Sequence, residues 1–452
     1  MSSTRWRTML SRTLPLAVII FTYAPQAHAA AAGPAVTVDL PDRPLSLAEC
    51  TAIALKNNPQ ITSADQGVIS ARAGLTRARS SYYPQLSFDA VEGVVGSDSA
   101  ASPDGGTDRR EDASIVLGQT LWERGRREAI EQSKASLRAA EFDRNSTVQS
   151  LIDQVAGNYY AALAAGQLVA VAEGGVSSAQ SHLNQVTARI KLGDAAEVEV
   201  YPADDDLARA QLDLIDARSN VRLALARLRN TLGIPPGTEV QLAEAAPPEE
   251  TELPSLPQAL DTALDLRPEV LAGQAAIDVS RNSLKLAKIR RGPVADISGQ
   301  YLHDYTEWAL RERGWDVLLR VSLPVFDGYA TKADETAARA SLARTEAGYQ
   351  RTINQVGLEV ESALVEAERA RERVTASAAS VAAAGARLAA AEGKYQQGIG
   401  ILLEVIDARV AVTNARASQV RARYDYQTAL VALQRALGTL AVPELAAAEA
   451  NR

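Results

Sequence analysis

The chain has 452 residues, of which 46% are hydrophobic, 5% aromatic and 23% charged, with a formal net charge of −8 and a single cysteine, Cys50. This balance excludes a disulfide scaffold and argues against a basic nucleic-acid binder. Beyond the N-terminus no stretch approaches 18 uncharged apolar residues, which speaks against a helical membrane protein.

Taken in chain order, residues 1–30 read as a secretory signal peptide. Arg5, Arg7 and Arg12 precede a short apolar run from Leu14 to Tyr23, and Ala27-His28-Ala29 supplies a small-x-small cleavage pattern. The run is too short for an anchor helix, and no cysteine follows it to carry a lipid. The mature chain is therefore expected to be exported.

The remainder is written twice. Leu47 to Pro59 (LAECTAIALKNNP) aligns with Leu256 to Pro268 (LPQALDTALDLRP), and Pro84 aligns with Pro293, all at one offset. Leu121-Trp122-Glu123 matches Val325-Phe326-Asp327, Gly193 matches Gly398, and Leu232-Gly233 matches Leu437-Gly438 at a slightly shorter one. A period this long marks a duplicated domain, since solenoid units are far shorter. Each copy begins with a short helix stopped before a proline (Pro59, Pro268). A second helix follows, running to about Ser81 or Arg291. An extended stretch then opens at Pro84 or Pro293. Next comes a very long helical pattern, about 126–192 and 330–397, and after a glycine-containing turn a returning helix, about 198–232 and 402–437. Apolar spacings of three and four in the long patterns (Val148, Leu151, Val155, Tyr159, Ala162; Tyr349, Ile353, Val356, Val360, Leu364) make a coiled-coil-like stripe. At 1.5 Å per residue each is a rod of roughly 100 Å. The expected organisation is a first repeat over 31–232 with a β-hairpin at 85–119, and a linker at 233–255 marked by Pro235-Pro236 and Pro247-Pro248. A second repeat over 256–438 has its hairpin at 296–323, and 439–452 form a C-terminal tail.

Four segments, 85–96, 112–119, 296–305 and 315–323, alternate apolar and polar residues, the period of strands with one apolar face. Runs of about 8–11 residues fit tilted transmembrane strands. The intervening 97–108 and 306–314 are polar and read as loops. A small soluble sheet is the alternative. Export, the paired hairpins, and the clustering of Trp308, Trp315, Tyr301 and Tyr305 as interfacial aromatics favour the membrane. Four strands cannot close a barrel, because about eight is the smallest number known, so membrane strands would require oligomerisation.

These repeated motifs, with Tyr395-Gln396-Gln397-Gly398 and Glu404-Val405-Ile406-Asp407-Ala408, resemble the TolC-type outer-membrane efflux channels (outer membrane factors) over about residues 44–440. The resemblance implies a membrane α+β fold: a homotrimer sharing one twelve-stranded β-barrel in the outer membrane, continued by a long periplasmic α-helical barrel. It implies an exit duct for efflux or type I secretion that works with a periplasmic adaptor (membrane fusion) protein and an inner-membrane RND or ABC pump. It also implies site residues. Glu404 and Asp407 match acids lining the periplasmic gate, where threefold symmetry would make rings of three carboxylates favouring cations. Tyr395 and Glu199 match members of a hydrogen-bonded latch. Gly400 stands where the family has a latch arginine, so either another residue takes that role or the resting tip is looser. The turns at Gly193 and Gly398 match adaptor-docking positions.

Nothing points to catalysis. Asp204-Asp205-Asp206 lacks the alternation and glycine of a calcium loop. His182 and His303 are far apart and have no CxxC or HxxxH partner, so no metal or other cofactor is expected. Cys50, beside Ala52 and Ile53, reads as a buried small hydrophobe. The competing function is a periplasmic coiled-coil scaffold or adaptor without a channel, which would be expected to carry a single helical hairpin and no duplication.

Overall fold

The computed structural model describes residues 43–99, 102–193, 196–244, 252–306 and 309–440. The expected signal peptide, Trp308, residues 245–251 of the linker and the tail beyond 440 lie outside the described residues.

Each repeat opens on a capping box. The Ser46 hydroxyl accepts from the Glu49 N–H while the Glu49 carboxylate accepts from the Ser46 N–H, which fixes the start of α1 (Leu47–Asn57). Ser255 and Gln258 do the same for α5 (Leu256–Leu266). Asn58 and Arg267 are extended, as residues before proline must be, and Pro59 and Pro268 begin α2 (Pro59–Ser80) and α6 (Pro268–Ile289). The long helices are α3 (Arg126–Leu192) and α7 (Ala330–Gln396), 67 residues each, and the returning helices are α4 (Val200–Leu232) and α8 (Leu402–Leu437). A single 3₁₀ turn, Glu197–Glu199, precedes α4.

One half of each long helix packs on α2 or α6 and the other on α4 or α8, and α3 also touches α6 and α8. The junction is built on glycine twice. Gly233 and Gly438 end α4 and α8 at φ 69° and 73°. A Cβ at Gly233 would lie 2.7 Å from the Asn57 carbonyl oxygen, and one at Gly438 2.9 Å from the Arg267 nitrogen. The returning helix thus stops against the α1–α2 or α5–α6 elbow, where only glycine provides both the turn and the close approach. Here Leu45 also pairs with the linker (Leu45 N to Gln241 O 2.8 Å, Ala243 N to Leu45 O 2.9 Å), and the Tyr159 hydroxyl donates to the Ala243 carbonyl at 2.8 Å. The Cys50 thiol is buried beside this seam, and desolvation pushes its pKa up to about 12.

The stripe Val148, Leu151, Val155, Tyr159, Ala162 is buried, as are Val356, Val360 and Leu364. α3 is enclosed by its neighbours, whereas α7 keeps Leu358 and Val365 exposed and α4 keeps Leu212, Ile215 and Leu223 exposed. Both long helices contain a stretch long and apolar enough by composition to cross a membrane once a charge or two is tolerated, which the sequence reading did not find. Alanine supplies it. In α3 its alanines are partly packed (Ala162, Ala165, Ala172 and Ala179 are buried), whereas the α7 stretch is mostly unburied.

The strands β1 (Gln85–Ser99), β2 (Ser102–Glu123), β3 (Val294–Thr306) and β4 (Ala309–Ser322) form one antiparallel sheet in the order β1-β2-β3-β4. The β2–β3 ladder joins the two repeats (Ile115↔Tyr301, Leu117↔Gly299). The strands are longer than expected. Pairing continues through the polar segments read as loops, to Ser99↔Ser102 and Thr306↔Ala309, with register shifts at Ser97/Ser99 and Asp304/Tyr305. Backbone pairing does not require an apolar face. Where the strands no longer need one, the period-two signal vanishes while the ladder goes on.

Cross-strand rows sort the sheet into two faces. Leu86–Leu117–Gly299–Val317 and Phe88–Ile115–Tyr301–Trp315 lie on the apolar face, with Ile297–Leu319 and Ala295–Val321 beyond them. Ser298–Leu318, Gln300–Asp316 and Asp296–Arg320 lie on the other. Trp315 is 77% exposed and Phe88 70%, so the apolar face has no cover among the described residues.

Candidate functional site

The tip at the far end of the helices gathers the ends of α3 and α7, the start of α8 and the 3₁₀ turn. Gly193 ends α3 at φ 81°, its N–H reaching the Arg189 and Ile190 carbonyls, and Gly398 follows α7 at φ 74°. The Ile399 and Gly400 N–H groups both donate to the Lys394 carbonyl at 3.1 Å. A Cβ on Gly400 would sit 2.9 Å from Lys394 Cβ and 3.0 Å from the Tyr395 nitrogen. The turn closes so tightly on α7 that no side chain fits at 400, which is a physical reason for the missing arginine.

Tyr395 and Glu199 meet. The Tyr395 hydroxyl donates to Glu199 Oε2 at 3.0 Å across 196 residues of sequence, joining the two repeats. Burial, then the hydrogen bond to Glu199, raises the phenol's pKa, so it stays a donor at neutral pH. The Arg189 guanidinium lies 4.7 Å above the same ring. A second basic residue, Arg409 of α8, donates to the Ser178 carbonyl of α3 (3.2 Å) and to Glu392 of α7 (3.0 Å), crosslinking three helices.

Between these groups lies His182, 1% exposed, its ring edge-on to Tyr395 with centroids 6.1 Å apart. Neither ring nitrogen has a hydrogen-bond partner among the described residues. Burial first, then the Arg409 charge, lowers its pKa to about 4, and Glu392 partly opposes this. A folded-state pKa below the ordinary value means that the histidine's contribution is complete above about pH 6.5 and is lost as pH falls toward 4. Full protonation costs on the order of 3 kcal/mol per copy. His182→Leu, which sacrifices no hydrogen bond, is expected to flatten the fall in tip stability between pH 6.5 and 4, measured by hydrogen exchange at the α3 and α7 termini. Asp206, whose pKa burial raises, titrates in both proteins and cancels in the comparison. An unchanged pH slope would remove His182 from the account.

Glu404 and Asp407, in the first turns of α8, are exposed. Val405 and Ala408, each next in sequence to one of these acids, are buried with Ala391 against Leu388 and Tyr395. The apolar seat that holds Tyr395 thus turns both carboxylates to the same outward side of α8. The sequence reading missed Arg189, Arg409, Glu392 and His182. The seven-residue spacing of His182 and Arg189, with buried Val186 between, places them on one helix face and could have found the first of these arginines.

A family model described as "Outer membrane efflux protein" matches residues 52–234 and 259–439, one segment per repeat. Protein CyaE of Bordetella pertussis is 27% identical over 358 residues, covering 77% of this chain and 75% of that protein. Outer membrane protein TolC of Vibrio cholerae is 25% identical over 325 residues, covering 69% and 73%. Among solved structures, the outer-membrane channel OprN superposes with a TM-score of 0.76 at 22% identity, covering 87% of this chain and 90% of that one. The CmeC outer membrane channel of Campylobacter jejuni superposes with a TM-score of 0.78 at 19% identity, covering 89% and 88%.

Proposed function

The chain belongs to the outer membrane efflux protein family, and from that premise we propose how its tip gates the duct. It is an outer-membrane exit duct for efflux or secretion, its strands in the outer membrane and its helical part in the periplasm. Its fold is that of a trimeric channel in which four strands per copy are one third of a twelve-stranded barrel. The observation that carries the channel reading is that both layers of the subunit end in open edges. β1 and β4 bound the sheet without further partners among the described residues, and exposed apolar side chains mark α4 on one side and α7 on the other. In lipid an unpaired strand edge is untenable, and closure through identical copies satisfies both layers at once.

In our reading the Tyr395–Glu199 bond, clamped by Arg189 over the ring, is the latch that keeps each tip closed, and Arg189 with Arg409 does the work of the arginine absent at Gly400. Glu404 and Asp407 face the lumen as stacked carboxylate rings that favour cationic cargo. The turns at Gly193 and Gly398 dock a periplasmic adaptor, which couples the duct to an RND or ABC pump. The division into repeats 31–232 and 256–438 about the 233–255 linker, with a 439–452 tail, belongs to the same proposal. A hydrogen bond to a charged group contributes about 1.5–3 kcal/mol. Tyr395→Phe is therefore expected to raise the open probability of the resting trimer by about tenfold or more in planar-bilayer recordings, tenfold corresponding to ~1.4 kcal/mol. Recordings indistinguishable from wild type would show that this bond does not hold the duct closed.

A further inference from the structure

Burying a histidine whose ring nitrogens bond to nothing is costly, and an apolar residue would fill the same slot without that cost. His182 stands in such a slot. Ala179 and Val186, about one turn to either side on α3, are buried with it. The ring is 1% exposed, and neither nitrogen has a partner among the described residues. The repeated architecture does not ask for a histidine here. With Gly193 matched to Gly398, the same position of the second repeat is Arg387, which is exposed. A fixed charge left in water on α7 thus has as its counterpart on α3 a titratable ring held out of water.

The groups around the ring decide what a proton would do there. α8 brings Arg409, α7 brings Glu392 and Tyr395, and α4 brings Asp206, which feels the charge of Arg409. Arg189, on the same face of α3, lies over the Tyr395 ring, and Glu199 of the 3₁₀ turn accepts from the Tyr395 hydroxyl. Arg409 is committed to Glu392 at 3.0 Å and to the Ser178 carbonyl at 3.2 Å. A neutral imidazole leaves that crosslink alone and sets its edge against the Tyr395 ring, 6.1 Å between centroids. A protonated one carries two N–H donors and is a second buried cation beside the Arg409 guanidinium. The anion that attracts it is Glu392, and Glu392 already holds Arg409. The new charge is met only by drawing Glu392 off Arg409 or by opening the seam to water. Either move loosens the packing of Tyr395, whose hydroxyl holds Glu199.

We propose that His182 is a proton sensor of the gate: in acid surroundings it takes up a proton, unsettles the Arg409–Glu392 crosslink and the Tyr395–Glu199 bond, and opens the duct. This rests on the latch reading above. The closed tip holds the ring at a pKa of about 4, and a ring released to water returns to its ordinary value of 6.5. The closed state is therefore fully favoured above about pH 6.5 and loses that advantage as pH falls toward 4. Between pH 7 and 5 the ratio of open to closed tips should rise by about tenfold or more per copy. Asp206, its pKa raised by burial, also gains its proton as pH falls, so the histidine's share has to be read against variants.

The test records the full-length trimer in planar bilayers at pH 7 and at pH 5. Wild type should be mostly closed at pH 7 and open at least tenfold more often at pH 5. His182→Leu, which keeps the apolar packing, should stay closed at both. His182→Arg, charged at every pH, should be open at pH 7, and His182→Leu decides the question alone should the arginine fail to fold. Asp206→Asn should keep most of the wild-type response. Tyr395→Phe should be open already at pH 7. An unchanged wild-type open probability between pH 7 and 5, or an equal rise in wild type and His182→Leu, overturns the sensor while an open Tyr395→Phe leaves the latch standing. A pH response abolished by Asp206→Asn and kept by His182→Leu overturns the sensor in the same way. A Tyr395→Phe trimer as closed as wild type at pH 7 overturns the latch and the sensor together.

Discussion

Val317→Arg is expected to block insertion of the protein into lipid, whereas Leu318→Arg, one residue on, leaves insertion intact. In the isolated chain the two positions look alike, at 61% and 51% exposed. Their cross-strand partners separate them. Val317 continues the row Leu86–Leu117–Gly299, in the middle of the apolar face, and Leu318 continues the row Gly118–Ser298 on the opposite face. An arginine on the lipid side of a membrane barrel costs about 2–4 kcal/mol at the bilayer midplane, and in a trimer three copies bear it. Facing a water-filled lumen it costs little. Heat-resistant trimer recovered from the outer-membrane fraction gives the readout. If both variants assembled equally, the apolar face would not be the lipid face.

Removing both tip carboxylates, Glu404→Ala with Asp407→Ala, is expected to lower the cation-over-anion permeability ratio by about tenfold, which corresponds to ~1.4 kcal/mol in the relative barrier. Both side chains are exposed and make no ion pair among the described residues, so the double variant should fold and assemble normally. Three copies would bring six carboxylates to one narrow level, where each added charge strengthens the field felt by a passing ion. Single-channel recordings under an ionic gradient measure the ratio. Glu404→Gln with Asp407→Asn provides a control that keeps side-chain volume. Unchanged selectivity in both would place these residues away from the conduction path.

How much of this was readable from sequence follows from what is local. The helix ends were legible because single residues fix them: Pro59 and Pro268 stop α1 and α5, and Gly193, Gly233 and Gly438 end the helices at positive φ. The long helices were legible because an uninterrupted three-and-four spacing over 67 residues has few other meanings. The strands were legible only where one face is apolar, so the polar segments that read as loops hide ladder pairs that run on to Ser99↔Ser102 and Thr306↔Ala309. The site divides in the same way. Tyr395, Glu199, Glu404 and Asp407 came from motif resemblance, and the meeting of Tyr395 with Glu199 is a tertiary contact across 196 residues. Arg409, Glu392, Ser178 and His182 sit on α8, α7 and α3, ordinary helical positions that acquire a role only where three helices converge. No spacing within one helix announces such a crossing. Gly400 shows the reverse case: an absence in sequence becomes intelligible once the turn is seen to leave no room for a Cβ.

By its family and fold this chain is one third of an outer-membrane duct. The most direct test is the mass of the native protein after detergent extraction of the outer membrane, by light scattering or native mass spectrometry. Three copies per particle are expected in that fraction. A single copy recovered from the soluble periplasmic fraction would contradict it.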